Sequence, residues 1–450
     1  MKLTNILSML AILAACGVGV AGEVPSKNPK AVVQPPPEPE IVTFDFQERL
    51  RFEARENNFD FNDGLSTVND DSWLLQRARV GVKVSPTDYL SFYVQGQSSF
   101  EFGSERPNEP GVLGAEGDDP IDLRQAYIAI GPKAFNVIIG RQILSYGDER
   151  LIGSFDWNNI GRTFDAVKVH YAPTKEWFLD AFVSSVVVPD SDEFNFSDLL
   201  DGNDTGRNQI FSGLYFSTTA ICPLGSTTDF YAFELHEEFN AGDTDFVTLG
   251  TRLKADVTKT GGWDVETEMA VQFGELKGRD LSAFAGHWGA GYVWLKHAWK
   301  PRLFTEYNFA TGDSNAKDGD VGTFQNLFPT NHKFYGYMDA FSWQNIHNPA
   351  VSFSVQPAKT VKLQLDYHAF WLADTSDAWY RANGVTAVRP IKASAGGFVG
   401  TELDFTASWK ATKNLSFLLG YSHFFTGDTA KATGAADDAD FAYVQATFDF

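Results

Sequence analysis

Cationic side chains recur at alternate positions in two early stretches of the chain. Successive side chains of a β-strand point to opposite faces, so this spacing collects each set on one face of a strand. A guanidinium group can donate to both oxygens of a carboxylate, which suits it to bind acidic groups. A stripe of such groups could pass an anionic polymer along repeated weak sites. The two sets consist of Arg49, Arg51 and Arg55, then Arg77, Arg79 and Lys83.

A different interpretation of these cations remains open. Lys168 adds a further cation at a position of the same kind, but acidic residues also occupy alternate positions later in the chain. If those acids face the cations, the charges pair and the surface has no preference for anions. A general porin with opposed charged walls would show the same pattern. The acids concerned are Asp264, Glu266, Glu268, Glu306, Glu402 and Asp404.

Other candidate sites carry weaker signals. Asp313, Asp318 and Asp320 offer oxygen ligands that could hold Ca²⁺, but Phe324 stands where an EF-hand loop has its bidentate glutamate, so a solvated acidic loop is expected. The sequence contains no glycine-rich phosphate loop and no nucleophile elbow. We therefore expect neither an enzyme nor a bound cofactor. The formal net charge of −22 argues against a nucleic-acid partner, which requires a basic surface.

The elements that carry these residues are predicted to be long strands. In the first of them, Phe44, Phe46, Leu50 and Phe52 share one parity and charged residues share the other, with Glu48 as the exception. Aromatic residues make up 14% of the chain, which is typical of strands that face lipid on one side. No run reaches eighteen apolar residues, so no helical membrane span is expected.

Eighteen such segments follow one another from Thr43 to the C-terminus. They are expected to begin near residues 43, 72, 89, 122, 135, 163, 176, 208, 226, 244, 262, 281, 301, 347, 361, 399, 414 and 438. Short connections alternate with longer ones, as in bacterial outer-membrane barrels. Lipid offers no partner to backbone amides and carbonyls, so strands enter a bilayer only as a closed sheet. The sequence therefore predicts an all-β fold, an antiparallel transmembrane barrel of eighteen strands with an aqueous lumen.

The two ends of the chain fit export to the outer membrane of a bacterium. Residues 1–21 are predicted to be a signal peptide, although Cys16 lies in a sequence that also resembles a lipoprotein cleavage box. Residues 22–42 are predicted to be a proline-rich periplasmic linker, and residues 43–450 the barrel. The last strand ends in Phe450, which resembles the signal read by the barrel-assembly machinery.

Three blocks of sequence resemble the alginate export domain family of outer-membrane proteins. They are the block from Gly140 to Gly153, the block from Asp156 to Lys168, and the block from Gly319 to Asp339. The resemblance covers about residues 43–450. It implies a barrel of eighteen strands that exports an anionic exopolysaccharide through an arginine-rich constriction. Arg141, Arg150 and Arg162 fall within the matching blocks and join the candidate pore-lining residues.

The resemblance also implies a set of partners. These are outer-membrane lipid, an anionic polysaccharide such as alginate, the assembly machinery and periplasmic export proteins. The third block is expected to form a long outer loop that folds into the pore or caps it. The expected function is passive passage of an anionic polysaccharide through an arginine-lined lumen. The alternative is a general or nutrient-uptake porin for small hydrophilic solutes.

Overall fold

The computed structural model describes residues 41–57, 61–63, 70–107, 115–198, 208–221, 223–238, 242–384, 387–389 and 396–450. The predicted signal peptide and the predicted linker up to residue 40 lie outside the described residues. No helix in the described ranges is long and apolar enough to cross a membrane.

Eighteen long strands form the body of the described chain. Shorter elements lie in the connections: Phe196–Ser197, Asp320–Val321, the pair Trp379–Tyr380 and Ala387–Arg389, and one helix, Asp428–Thr433. The long strands are β1 Val42–Glu56, β2 Asp71–Thr87, β3 Leu90–Phe102, β4 Asp119–Ile130, β5 Phe135–Gln142, β6 Phe164–Tyr171, β7 Trp177–Val188, β8 Ile210–Thr218, β9 Thr227–Glu237, β10 Thr244–Lys254, β11 Trp263–Leu276, β12 Arg279–Val293, β13 Arg302–Ala310, β14 Ile346–Ala358, β15 Val361–Trp371, β16 Phe398–Lys410, β17 Leu415–Thr426 and β18 Ala439–Asp449.

The eighteen strands close into a barrel. Each pairs antiparallel with the next, and β1 pairs antiparallel with β18 in the register Gln47 with Asp449 through Glu56 with Asp440. Beyond that ladder, the backbone amides of Phe46 and Phe450 each donate to the other residue's carbonyl, at 3.0 and 2.8 Å. Closure leaves no unpaired edge, as a sheet in lipid requires.

The strand pattern read from the sequence is confirmed. Every long strand begins within three residues of its predicted start. Two connections depart from the alternation of short and long: residues 238–243 between β9 and β10 are fewer than the eight of each neighbouring connection, and β11 and β12 are joined by Lys277 and Gly278 alone. Both residues have positive φ, 53° and 74°, as a tight two-residue hairpin turn requires.

The two faces of the wall differ as the parity predicts. Val80, Val94, Val183 and Leu214 are among the exposed apolar residues of the outward face, which meets lipid. The arginines of β1 and β2 lie on the inward face and are buried. Glu48 has the outward parity, and its carboxylate accepts a hydrogen bond of 2.8 Å from Gln76 Nε2 on β2.

Candidate functional site in the lumen

Two long connections fold into the barrel and bind to each other. The first inward loop, residues 143–163, joins β5 to β6, and the second inward loop, residues 311–345, joins β13 to β14. Phe328 N donates to Leu151 O at 2.9 Å, and Gly153 N donates to Phe328 O at 2.8 Å. The ring of Trp157 stacks on His332 with centroids 3.7 Å apart. The third family block, in the second inward loop, thus folds into the lumen as predicted. The first inward loop folds in beside it.

The first inward loop contacts a wall of guanidinium groups on β1 to β4. Arg49 Nη1 donates to the carbonyl oxygen of Asp156 at 2.7 Å, and Arg77 Nη1 donates to the same oxygen at 3.1 Å. Arg49 also donates to the carbonyl of Asn158 and to the side chain of Asn159. We call Arg49, Arg77, Arg79 and Arg124 the basic wall; all four are buried.

The carboxylate of Asp156 lies among the side chains of the basic wall. Its Oδ1 is 2.7 Å from Arg79 Nη1 and 4.0 Å from Arg124 Nη2, and its Oδ2 is 3.2 Å from Arg77 Nη2. Burial alone would raise the pKa of Asp156, but Arg77 and Arg79 hold it well below its usual range. The side chain is still 46% exposed, so the space beside it is open to solvent.

The arginines nearer the outer end of β1 also contact the loops. Arg51 donates to Glu53 and Glu116, at 2.6 and 2.7 Å, and lies over the ring of Trp157 at 3.9 Å. Arg55 donates to the carbonyl of Met338 in the second inward loop at 3.1 Å. Both guanidinium groups are buried and hold loop segments rather than facing open water.

The opposite side of the lumen is acidic, and it binds a cation of the first inward loop. Arg150 approaches Glu266 and Glu268 on β11 at 4.0 and 3.9 Å, and its guanidinium lies over the ring of Phe334 at 4.0 Å. Asp148 pairs with Arg252 at 2.6 Å. The first inward loop therefore bridges the lumen, with its charges matched to both walls.

The remaining predicted residues fall into three environments. Lys83 is exposed, and Lys168 lies 3.9 Å from Asp180 with 18% of its side chain exposed. Arg162 Nη1 donates to the carbonyls of Pro329 and Gly153, at 2.9 and 3.2 Å. Burial lowers the pKa of Arg162 to about 10.

Arg141 is separate from the basic wall. In the sheet register it is paired with Asp165, which has the same parity as the lipid-facing Val167. Its guanidinium contacts Asp165 at 3.0 Å and Asp122 at 3.8 Å. On its own strand, Arg141 shares the parity of the exposed Phe135 and Ile139, which agrees with this outward placement. Arg141 is therefore not among the residues that we propose line the pore.

Two residues of the site were not singled out from the sequence. Arg124 lies at an irregularity of the β3–β4 register, where Gln95 pairs with Gln125 and Gly96 with Leu123. The extra residue interrupts the alternation and hides its inward placement. Asp156 is the first residue of the second block that resembles the family. No local sequence pattern indicates that an acid in a loop contacts cations on distant strands.

The acidic loop predicted as a weak Ca²⁺ candidate has local partners. Asp313 accepts a hydrogen bond from Asn315 N, and Asp318 accepts one from Asp320 N, at 3.0 and 3.1 Å. Within the part of the chain that the structure describes, no group of three or more His, Cys, Asp or Glu side chains could hold a metal ion.

The space left beside the second inward loop is small. A cavity of about 60 Å³ lies between this loop and strands β13 to β15, with Glu306 and Asp366 from the wall and Lys333 and Tyr337 from the loop in its lining. Such a volume has room for a few water molecules. The two inward loops lie across the lumen at this level, in contact with each other and with both walls.

Comparison with solved structures supports the fold. OpdQ of Pseudomonas aeruginosa is similar, with a TM-score of 0.61 and 11% identity over 91% of this chain and 97% of that one. A BenF-like porin from Pseudomonas fluorescens Pf-5 has a TM-score of 0.59 and 11% identity over 91% and 99%. OccD3 (OpdP) of Pseudomonas aeruginosa has a TM-score of 0.59 and 11% sequence identity over 91% of each chain.

A search of the curated proteins finds no match. The family model described as alginate export matches residues 41–444, nearly the whole chain. This family and the porin-like barrel are those of outer-membrane channels rather than enzymes. The chain therefore belongs to the alginate export family and is a channel of the bacterial outer membrane.

Proposed function

We propose that this channel passes an anionic polysaccharide with carboxylate groups, of the alginate type, and that the basic wall binds those carboxylates in transit. The observation that carries the proposal is the seat of Asp156, where one carboxylate is held by Arg77 and Arg79 together. Carboxylates of a uronate chain have the same chemistry and would meet the same donors. Family membership supports a saccharide as the cargo.

Passage in this proposal is passive and stepwise. The inward loops leave the lumen by breaking hydrogen bonds and ion pairs, and the freed guanidinium groups offer successive weak sites to the polymer. Weak multiple sites favour conduction, because a single tight site would trap the chain. The acidic wall opposite would repel a polyanion and keep it against the arginines.

A second group of acids, on β15 and β16, favours a second candidate, a channel for small hydrophilic solutes. Glu402 and Asp404 on β16 are fully buried and face the lumen together with Asp366 on β15. A lumen with charges of both signs on opposite walls suits a channel of weak selectivity. This candidate predicts that uronate oligomers and neutral sugars of equal size have the same effect on the current.

The test is block of single-channel currents in planar bilayers by uronate oligomers of graded length. We expect voltage-dependent block by the uronates and none by uncharged oligosaccharides of equal length. The double variant Arg77→Gln/Arg79→Gln is expected to weaken block at least about tenfold, since two charge-assisted contacts are lost.

The matched control is Arg279→Gln, which removes a half-exposed guanidinium on β12, away from the strands of the basic wall; its ion-pair partner is Asp313, near the start of the second inward loop. Block that remains as strong in the double variant as in the wild type would contradict the proposal. Equal block by neutral sugars would support the channel for small solutes instead.

A further inference from the structure

The basic wall holds more positive charge than its protein partners neutralise. Four guanidinium groups surround one aspartate, and Asp156 is the carboxylate in ion-pair contact with Arg77, Arg79 and Arg124 among the described residues. Buried cations are stable only when paired and hydrogen-bonded. The imbalance therefore makes the basic wall a site that favours carboxylates.

Guanidinium nitrogens of the basic wall that have no hydrogen-bond partner also indicate a site for an anion. Within the described part of the chain, Arg49 Nε, Arg77 Nε, Arg79 Nη2 and Arg124 Nε have no hydrogen-bond partner, although each atom is buried. Leaving a charged donor unpaired costs stability, so these positions are prepared for an acceptor that the loop does not supply. The exposed part of Asp156 leaves a path by which such an acceptor can arrive.

The loop backbone holds Asp156 in this seat. Arg49 and Arg77 both bind its carbonyl oxygen, and Gly161 places its Cα against Arg124, where an added Cβ would lie 2.8 Å from Nη2. Gly161 has φ of 78°, a conformation that other residues rarely adopt. The chain is thus shaped to bring one carboxylate to the arginines.

We propose that Asp156 is an internal substitute for the cargo: its carboxylate occupies a four-arginine carboxylate subsite in the resting channel and yields it to a carboxylate of the passing polymer. This inference rests on the proposed function, which names the polymer. Exchange of one carboxylate for another keeps the arginines paired throughout. The energetic cost of withdrawing the loop is then offset by the incoming anion, so the cargo itself favours opening.

The test compares Asp156→Asn with Asp156→Glu and Asp148→Asn. Asparagine keeps the size of the side chain and removes its charge, whereas glutamate keeps the charge. Asp148→Asn removes a carboxylate from the same loop at the opposite wall, where its partners are Arg252 and Lys254. Heat-modifiable mobility on gels verifies that each variant is an assembled barrel.

Two readouts are taken in planar bilayers. Asp156→Asn is expected to raise the anion-to-cation permeability ratio in a KCl gradient and to tighten uronate block about tenfold, because the polymer no longer competes with an internal carboxylate. Asp156→Glu keeps a carboxylate in the subsite, so its gain in uronate block should be well below that of Asp156→Asn, and so should the gain of Asp148→Asn. An unchanged Asp156→Asn, or an equal gain in Asp148→Asn, would overturn the inference.

The two readouts also separate this inference from the proposed function. A rise in chloride permeability of Asp156→Asn with no uronate block in any protein would retain the carboxylate subsite and remove the polysaccharide. Uronate block that is equal in wild type and Asp156→Asn would retain the polysaccharide and remove the role of Asp156.

Discussion

At the scale of single residues, the site is defined by pairs that join a loop to a wall. Arg77 and Arg79 hold Asp156 at one side, and Arg150 lies beside Glu266 and Glu268 at the other. Each member of these pairs is buried or partly buried, so each depends on its partner for solvation. Removing one member should therefore cost more than the pair itself contributes.

Arg150 provides the sharpest test of this dependence. Arg150→Gln leaves the buried Glu268 without its cation, whereas Glu266 keeps Lys254 at 3.1 Å, and we expect the substitution to lower stability by about 3 kcal/mol. Unfolding in denaturant, followed by circular dichroism, measures the change. The compensating variant Arg150→Gln/Glu268→Gln should recover part of the loss, whereas Arg279→Gln should change little. An Arg150→Gln barrel as stable as wild type would show that the loop is not held by these charges.

The pH dependence of the Asp156 contact follows from its lowered pKa. A carboxyl whose folded pKa is depressed contributes stability above its unfolded pKa of about 3.9 and loses it as pH falls toward the folded value. The charges facing Asp156 are the guanidinium groups of Arg49, Arg77, Arg79 and Arg124, which stay protonated. The difference in anion permeability between wild type and Asp156→Asn should stay constant from about pH 8 to about pH 4, because Asp156 stays ionised in the folded channel until the pH approaches its lowered pKa. A difference that disappears between pH 8 and 5 would contradict this assignment.

At the scale of elements, the two inward loops act as one unit. They share a parallel bridge between Ile152 and Phe328, and Thr330 N donates to Glu149 O at 2.9 Å. Gly153 lies at the closest approach, where an added Cβ would be 2.7 Å from the Cβ of Glu149. Only a residue without a side chain permits this contact.

Gly153→Val is expected to separate the two inward loops. The added side chain cannot fit beside Thr330 and Glu149, so both loops should become more accessible to protease and the single-channel conductance should rise. Limited proteolysis and conductance measure the two effects. Gly396→Val is the control, because a Cβ at Gly396 in another outer connection meets nothing within 4 Å. Wild-type conductance with intact loops in Gly153→Val would contradict a joint closure.

The strands could be predicted from sequence, whereas the loops could not. Alternation is a local property, so β1 and β2 and the inward placement of Arg49, Arg51, Arg77 and Arg79 follow from parity alone. Asp156 contacts Arg79 and Arg77, which precede it by 77 and 79 positions in the chain. No local sequence pattern indicates a contact over such a separation. Arg124 lies where a register irregularity interrupts the alternation, so parity fails at that point. Arg141 keeps the outward parity of Ile139, and it became a pore candidate through the family resemblance rather than through parity.

At the scale of the whole molecule, the barrel depends on the seam between its first and last strands. Phe450 is 76% exposed at the end of the chain, and its backbone exchanges two hydrogen bonds with Phe46. This backbone pairing of β1 with β18 completes the closed sheet.

The central claim is that anions cross this channel along the basic wall once the first inward loop yields. The most direct test is the reversal potential in planar bilayers under a KCl gradient, for wild type and for Arg77→Gln/Arg79→Gln. We predict anion selectivity in the wild type and its loss in the double variant. Cation selectivity in the wild type, or anion selectivity that survives the double substitution, would contradict the claim.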